Sequence, residues 1–191
     1  MEAAVILKEL LERIRDIRAS EKVFYRQILE IYATSIDYDP KAEISIQFFK
    51  KVQNKIHYAI HGQTAAEVIY NRVDAEKEFM GLTSFAGKQP TLKEAVVAKN
   101  YLDEKELRAM GQLVSGYLDF AERQAEREQA MTMQDWAEHL DRILTMSGEQ
   151  LLIGNGSISH KQAVDKATGE YRKYKAKTLS EVEQDYLDSI K

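Results

Sequence analysis

The stretch 98–141 constrains the fold more than any other part of the chain. It reads AKNYLDEKELRAMGQLVSGYLDFAERQAEREQAMTMQDWAEHLD and holds the protein's only tryptophan, Trp136. Asp103 and Glu106 make a D-x-x-E helix start. The helix behind it is apolar at Leu107, Met110, Val114, Tyr117, Leu118 and Ala121 and continues to about Glu128. Thr132 with Asp135 starts a second helix carrying Trp136, Leu140, Ile143 and Leu144. The linker between them is only a few residues, so the two helices are expected to pack as antiparallel neighbours. Gly111 and Gly116 each weaken the first helix by about 1 kcal/mol relative to Ala. Two glycines on one helix point to close approach of a neighbour.

The only prolines are Pro40 and Pro90. An interior proline costs a helix about 3 kcal/mol, so the proline-free last hundred residues permit long helices. Before Pro40, positions Leu7, Leu10, Ile14, Ile17, Phe24, Ile28 and Ile31 follow 3,4 spacing, with Glu21 at the one missing position. This heptad-like seam predicts a long N-terminal helix over roughly 3–36, with a body over roughly 43–191. Such a seam must be covered, by the rest of the domain or by the same helix of a second copy. The helix should stop before Asp37-Tyr38-Asp39-Pro40, because the residue before proline is driven out of helical geometry.

After Pro40, Phe48, Phe49, Val52, Ile56, Ala59 and Ile60 fit a helical period, while Ile44, Ile46 and Phe48 also fit alternation, so the first turn reads as helix or strand. Gly62 suits a C-terminal cap, and Thr64 with Glu67 a capping box for the next helix. The run 80–90 reads as an irregular connection, and TLKEAVVAKNYL as a helix or a short strand. Gly154-Asn155-Gly156-Ser157 is a turn. Ser159 with Gln162 starts a Lys- and Tyr-rich helix with a thin apolar stripe (Ala163, Val164, Ala167, Tyr171, Tyr174), and Ser180 with Glu183 starts a last short one. The reading is all-α: a helical bundle with a long N-terminal helix, forming a single helical domain over 1–191.

Composition excludes several function classes. The net charge of −4 lacks a general nucleic-acid footprint. The absence of Cys excludes disulfides, cysteine zinc sites and thiol nucleophiles and fits a reducing compartment. The N-terminus MEAAVILKELLERIR lacks the basic region and long apolar run of a secretory signal. No window approaches the roughly 18 apolar residues of a membrane span. The expectation is a cytoplasmic protein without membrane association.

Candidate chemistry is sparse. His57 and His61 form H-x-x-x-H, which places both rings on one helix face, as a divalent metal needs. Position 58 is Tyr where a zinc protease needs its Glu, no third ligand is placed, and a packed or surface pair is the commoner outcome. Glu67, Arg72, Asp74, Asp119 and Glu122 are acid or base candidates. Asp119 and Glu122 flank an apolar stripe, where a carboxylate pKa can rise, though such groups more often pair with Arg or Lys. Lys99, Asn100 and Tyr101 precede a helix start and suit turn formation. Lys161, Lys166, Arg172, Lys173 and Lys175, with Tyr171 and Tyr174, offer a nucleic-acid or acidic-partner surface, set against the commoner solvated helix face. The Gly154-Asn155-Gly156 turn resembles the GNG of Fic-type AMP-transferases, but Glu149 stands where the catalytic His belongs and Ser157 where an Arg belongs, which leaves a plain turn.

The strings LLERIRDIRASEKVFYRQILEIYATSIDYD, HYAIHGQTAAEVIYNRVDAEKEFMGLTSF, AKNYLDEKELRAMGQLVSGYLDFAERQAE and MTMQDWAEHLDRIL resemble the RhuM family, bacterial virulence-associated proteins carried on pathogenicity islands and other mobile elements. The resemblance covers nearly the whole chain. It implies that longer relatives carry an additional N-terminal DNA-reading domain and that this chain corresponds to the part after it. It supplies no reaction, cofactor or catalytic residue.

Three functions follow as expectations. The leading one is an interaction and oligomerisation module that self-associates through its first helix, has protein partners, and reaches DNA through a domain absent from this chain. The rival is a toxin- or nuclease-type enzyme using His57, Glu67, Arg72, Lys99 and Asp119. The third is nucleic-acid contact through the Lys/Tyr helix.

Overall fold

A computed structural model describes residues 31–178 and 180–190. The predicted first helix falls largely outside them. Ile31 and Tyr32 are helical, and the chain then turns, with the Thr34 and Ser35 amides donating to the Ile31 and Tyr32 carbonyls. The helical stretch therefore ends at Tyr32, ahead of the expected position 36.

The described residues are helical and contain no strand. The α-helices are α1 Glu43–His61, α2 Ala65–Arg72, α3 Leu92–Ala95, α4 Glu104–Glu126, α5 Met133–Met146, α6 His160–Lys177 and α7 Glu181–Ser189. Single 3-10 turns lie at Glu78–Gly81 and Ala98–Tyr101. The strand alternative for residues 44–48 is thus removed, and TLKEAVVAKNYL becomes one α turn followed by one 3-10 turn. Gly62 ends α1 in the left-handed region at φ 71°, its amide donating to the Tyr58 carbonyl. Capping boxes close at Thr64/Glu67, Thr91/Glu94, Thr132/Asp135, Ser159/Gln162 and Ser180/Glu183.

The described residues form two compact units, one combining those up to Gly62 with Arg108–Leu152, the other Gln63–Leu107 with those from Ile153 onward. In the first, Met110, Val114, Tyr117, Leu118, Ala121 and Ala125 of α4 are buried with Met133, Trp136, Leu140 and Leu144 of α5 and with Val52, Ile56 and Ala59 of α1. Full burial of each large apolar side chain contributes about 1.5–3 kcal/mol. Trp136 is completely buried, as a core anchor should be, and meets Phe120 edge-on at 6.2 Å. Tyr32 is surrounded by the rings of Phe48, Phe49 and Tyr117. Asp37 accepts a 2.9 Å bond from the Met133 amide, one of the donors that a helix start leaves unmatched. Lys55 bridges α1 to Asp141 of α5 at 2.7 and 2.8 Å. A Cβ at Gly116 would meet nothing within 4 Å, so close helix approach is not the reason for that glycine.

In the second unit α2 packs on α6. Ala163 and Ala167 are fully buried there. Their small side chains explain the thin stripe and let the two helices approach closely, and Val68 and Ile69 of α2 are buried in the same unit. Val73, Met80, Leu82, Ala95, Tyr101 and Leu102 complete this core.

Candidate functional site

Arg72 is the best-organised ionisable group of the second unit. It occupies the last turn of α2 and grips Glu106 with both terminal guanidinium nitrogens, Nη1 and Nη2, at 2.7 and 2.6 Å. Nη1 also donates to the Tyr101 carbonyl at 2.9 Å. Glu106 sits there because Asp103 and Glu106 exchange backbone-to-side-chain bonds at the start of α4, the cap visible in the sequence. The Glu106 bond is the main cause holding the Arg72 pKa above its ordinary value.

Beside it runs a left-handed turn: Phe79 at φ 49°, Met80 at 59° and Gly81 at 83°. A left-handed residue with a side chain costs about 1–2 kcal/mol. The turn is retained because Met80 is fully buried and because its backbone accepts from the Asp74 amide and donates to the Lys77 carbonyl. Gly81 lies so close to the end of α2 that an added Cβ would stand 2.5 Å from the Arg72 carbonyl oxygen. The Phe79 and Phe85 rings meet at 4.7 Å, tilted by 51°, with exposed Thr83 and Ser84 between them in sequence.

Glu67 takes part in folding contacts. One carboxylate oxygen accepts from the Thr64 amide at 2.8 Å, the other from the Ser157 amide at 2.7 Å and the Ser157 hydroxyl at 2.8 Å. Burial opposes the charged form, but these bonds outweigh it and lower the Glu67 pKa. The Gly154–Ser157 turn is thereby fastened to α2. Lys99 is half-buried on the 3-10 turn Ala98–Tyr101.

The α6 cations sort into two groups. Lys166 donates to the Tyr70 carbonyl at 2.6 Å and lies 4.5 Å from the centre of the Tyr70 ring, satisfying a carbonyl at the C-terminal end of α2. Lys173 pairs with Glu170 at 2.7 Å, and Glu170 also accepts from the Ala75 amide. Lys161, Arg172 and Lys175 are exposed. The sequence contains every member of these pairs, but nothing local marks Glu170 as the acceptor for Ala75.

His57 and Asp119 belong to the first unit, whereas Glu67, Arg72 and Lys99 belong to the second. His57 is fully buried on α1, and its Nδ1 shares a 2.9 Å hydrogen bond with His61 Nε2. Asp119 is exposed on α4. No group of three or more His, Asp or Glu side chains that could hold a metal ion occurs among the described residues. The cavity lined by Tyr32, Ile56, Leu113, Val114, Tyr117 and Leu140 leaves no room for a water.

The sequence matches the model of the Virulence protein RhuM family over residues 3–182. The chain belongs to the RhuM family. No curated protein and no solved structure matches it. This RhuM chain thus carries an arginine bound to a cap carboxylate, a strained turn beside it and a loop tied to Glu67. No helix among its described residues is long and apolar enough to cross a membrane.

Proposed function

We propose that this RhuM chain is a helical interaction and self-association module, joined in longer members to a domain that reads DNA. The observation carrying this reading is the contrast between its polar and apolar side chains. Glu67 and Arg72 are occupied by contacts that hold the fold, whereas large apolar side chains are left to solvent. In the first unit Ile36 is 62% and Ile44 69% exposed; on α7, Val182 is 79% and Tyr186 64% exposed, and Ile190, just past the end of that helix, is 63% exposed. Apolar surface gathered on one helix marks a contact face more often than chance exposure does. The 3,4 spacing of apolar residues in the sequence from Leu7 to Ile28 is the second support, since paired helices bury such a repeat between them; Ile31, which ends it, is buried within the chain.

Sedimentation over a concentration series tests the reading. Self-association is expected, and Leu10→Asp with Ile14→Asp is expected to give a monomer with unchanged circular dichroism. A strict monomer at high concentration would overturn self-association. Loss of helicity in the double variant would instead assign the seam to the chain's own core.

A further inference from the structure

We propose that the Asn155-Gly156 pair is a self-modification site: the Gly156 backbone nitrogen attacks the Asn155 side-chain amide, and the isoaspartate that results unfastens the turn from α2. The Gly156 nitrogen forms a bond to Asn155 Cγ as its proton leaves, the Cγ–Nδ2 bond breaks, and ammonia departs. The product is a five-membered succinimide. Water then opens the ring at either carbonyl. Attack at the former side-chain carbonyl yields aspartate. Attack at the backbone carbonyl of residue 155 yields isoaspartate, in which the chain runs through Cβ and Cγ and is one atom longer. No oxidant, reductant or cofactor is needed.

The local structure favours this step at one place. Asn155 and Gly156 are both exposed. The Gly156 amide donates no hydrogen bond to any described residue, and the residue has no Cβ to shield its nitrogen. The other asparagines differ. Asn54 and Asn71 lie inside α1 and α2, where the following amides belong to the helical ladder and the next residues, Lys55 and Arg72, carry bulky side chains. Asn100 is held by a 3.0 Å bond from its side-chain amide to the Glu94 carbonyl and precedes Tyr101.

The same structure gives the modification a consequence. Gly156 lies against α2 so closely that a Cβ there would be 2.6 Å from Thr64 Cγ2 and 3.0 Å from Glu67 Oε1. Ser157 is bonded to that same Glu67 oxygen through its amide and hydroxyl. An extra backbone atom immediately before Gly156 displaces Ser157 from this contact. The new carboxylate also adds negative charge beside Glu67, which repels it.

The test ages the purified full chain in mildly alkaline buffer at growth temperature, alongside Asn155→Gln, whose longer side chain disfavours the five-membered ring. Peptide mass spectrometry with enzymatic isoaspartate detection is expected to show residue 155 losing its amide at least an order of magnitude faster than residues 54, 71 and 100. Hydrogen exchange at the Ser157 amide is expected to accelerate in the aged chain and to stay unchanged in aged Asn155→Gln. An amide at 155 that lasts as long as the one at 71 overturns the chemistry. Isoaspartate at 155 with unchanged exchange at Ser157 overturns the release.

Discussion

Tyr117 shows how much a single hydroxyl can organise. Its O–H donates to the Trp136 carbonyl, so its one proton is spent and the 3.0 Å contact with the Tyr32 hydroxyl must be donated by Tyr32. Both side chains are buried, and the order of donors fixes what each substitution does. Tyr117→Phe removes two hydrogen bonds: it strands the Tyr32 hydroxyl in the core, which costs about 1–3 kcal/mol, and it takes the second donor from the Trp136 carbonyl, which keeps its bond within α5. Tyr32→Phe leaves Tyr117 still donating and is expected to cost only about 0.5–1.5 kcal/mol. Urea denaturation of the two variants checks the asymmetry, and equal losses would contradict the donor order. At this scale the sequence was informative about type and silent about partner. An apolar stripe containing Tyr117 marks it as buried, but only the arrival of Tyr32, 85 positions earlier, decides what its oxygen meets.

Among the elements, helix starts were the most legible. Thr64/Glu67, Thr132/Asp135, Ser159/Gln162 and Ser180/Glu183 close as their spacing predicts, because a capping box involves four consecutive residues and needs no tertiary help. Thr91/Glu94 has the same signature, but its helix is a single turn, too short to display a period, and the stretch read as helix or strand. The left-handed turn Phe79-Met80-Gly81 left no local mark beyond its glycine. Two non-glycine residues occupy that region only because surrounding contacts hold them there. Gly81→Ala and Gly148→Ala separate the contributions. Both glycines have positive φ, yet an added Cβ is 2.5 Å from the Arg72 carbonyl oxygen at position 81 and meets nothing within 4 Å at position 148. Each substitution incurs about 1–2 kcal/mol of backbone strain, and Gly81→Ala is expected to lower the thermal midpoint further. Equal midpoints would remove the argument for close approach to α2.

For the molecule as a whole, the buried phenols set the alkaline limit. Burial raises the pKa of Tyr32 and Tyr117 in the first unit and of Tyr101 and Tyr174 in the second. In the unfolded chain these groups release their protons near pH 10, while the folded chain keeps them. Stability is therefore fully present below about pH 10 and falls as pH rises toward the folded values. Glu67, Asp135 and Glu170 work in the opposite sense: hydrogen bonds hold their pKa values down. Their contribution is present above the ordinary carboxylate range and is lost as pH falls through the lowered values. Burial also lowers the His139 pKa, so its contribution is lost as pH falls below about 6.5, and the urea midpoint is expected to be flat only from about pH 7.5 to 9 and to fall on both sides. A midpoint that does not move between about pH 9 and 11 would show that the tyrosines are not buried as described.

The amino-acid order alone determined that this RhuM chain is helical, where most of its helices begin, and which faces of α4 and α5 are apolar, because caps and periodicity are settled within a few neighbouring residues. Tertiary structure decided that Arg72 grips Glu106, that Glu67 holds Ser157, that Asp37 satisfies the start of α5, and that Lys166 serves a carbonyl of α2 instead of facing solvent. Partners 34, 90 and 96 positions apart carry no mutual signal in sequence, since the same charged and polar side chains remain fully hydrated wherever the chain fails to bring a counterpart to them.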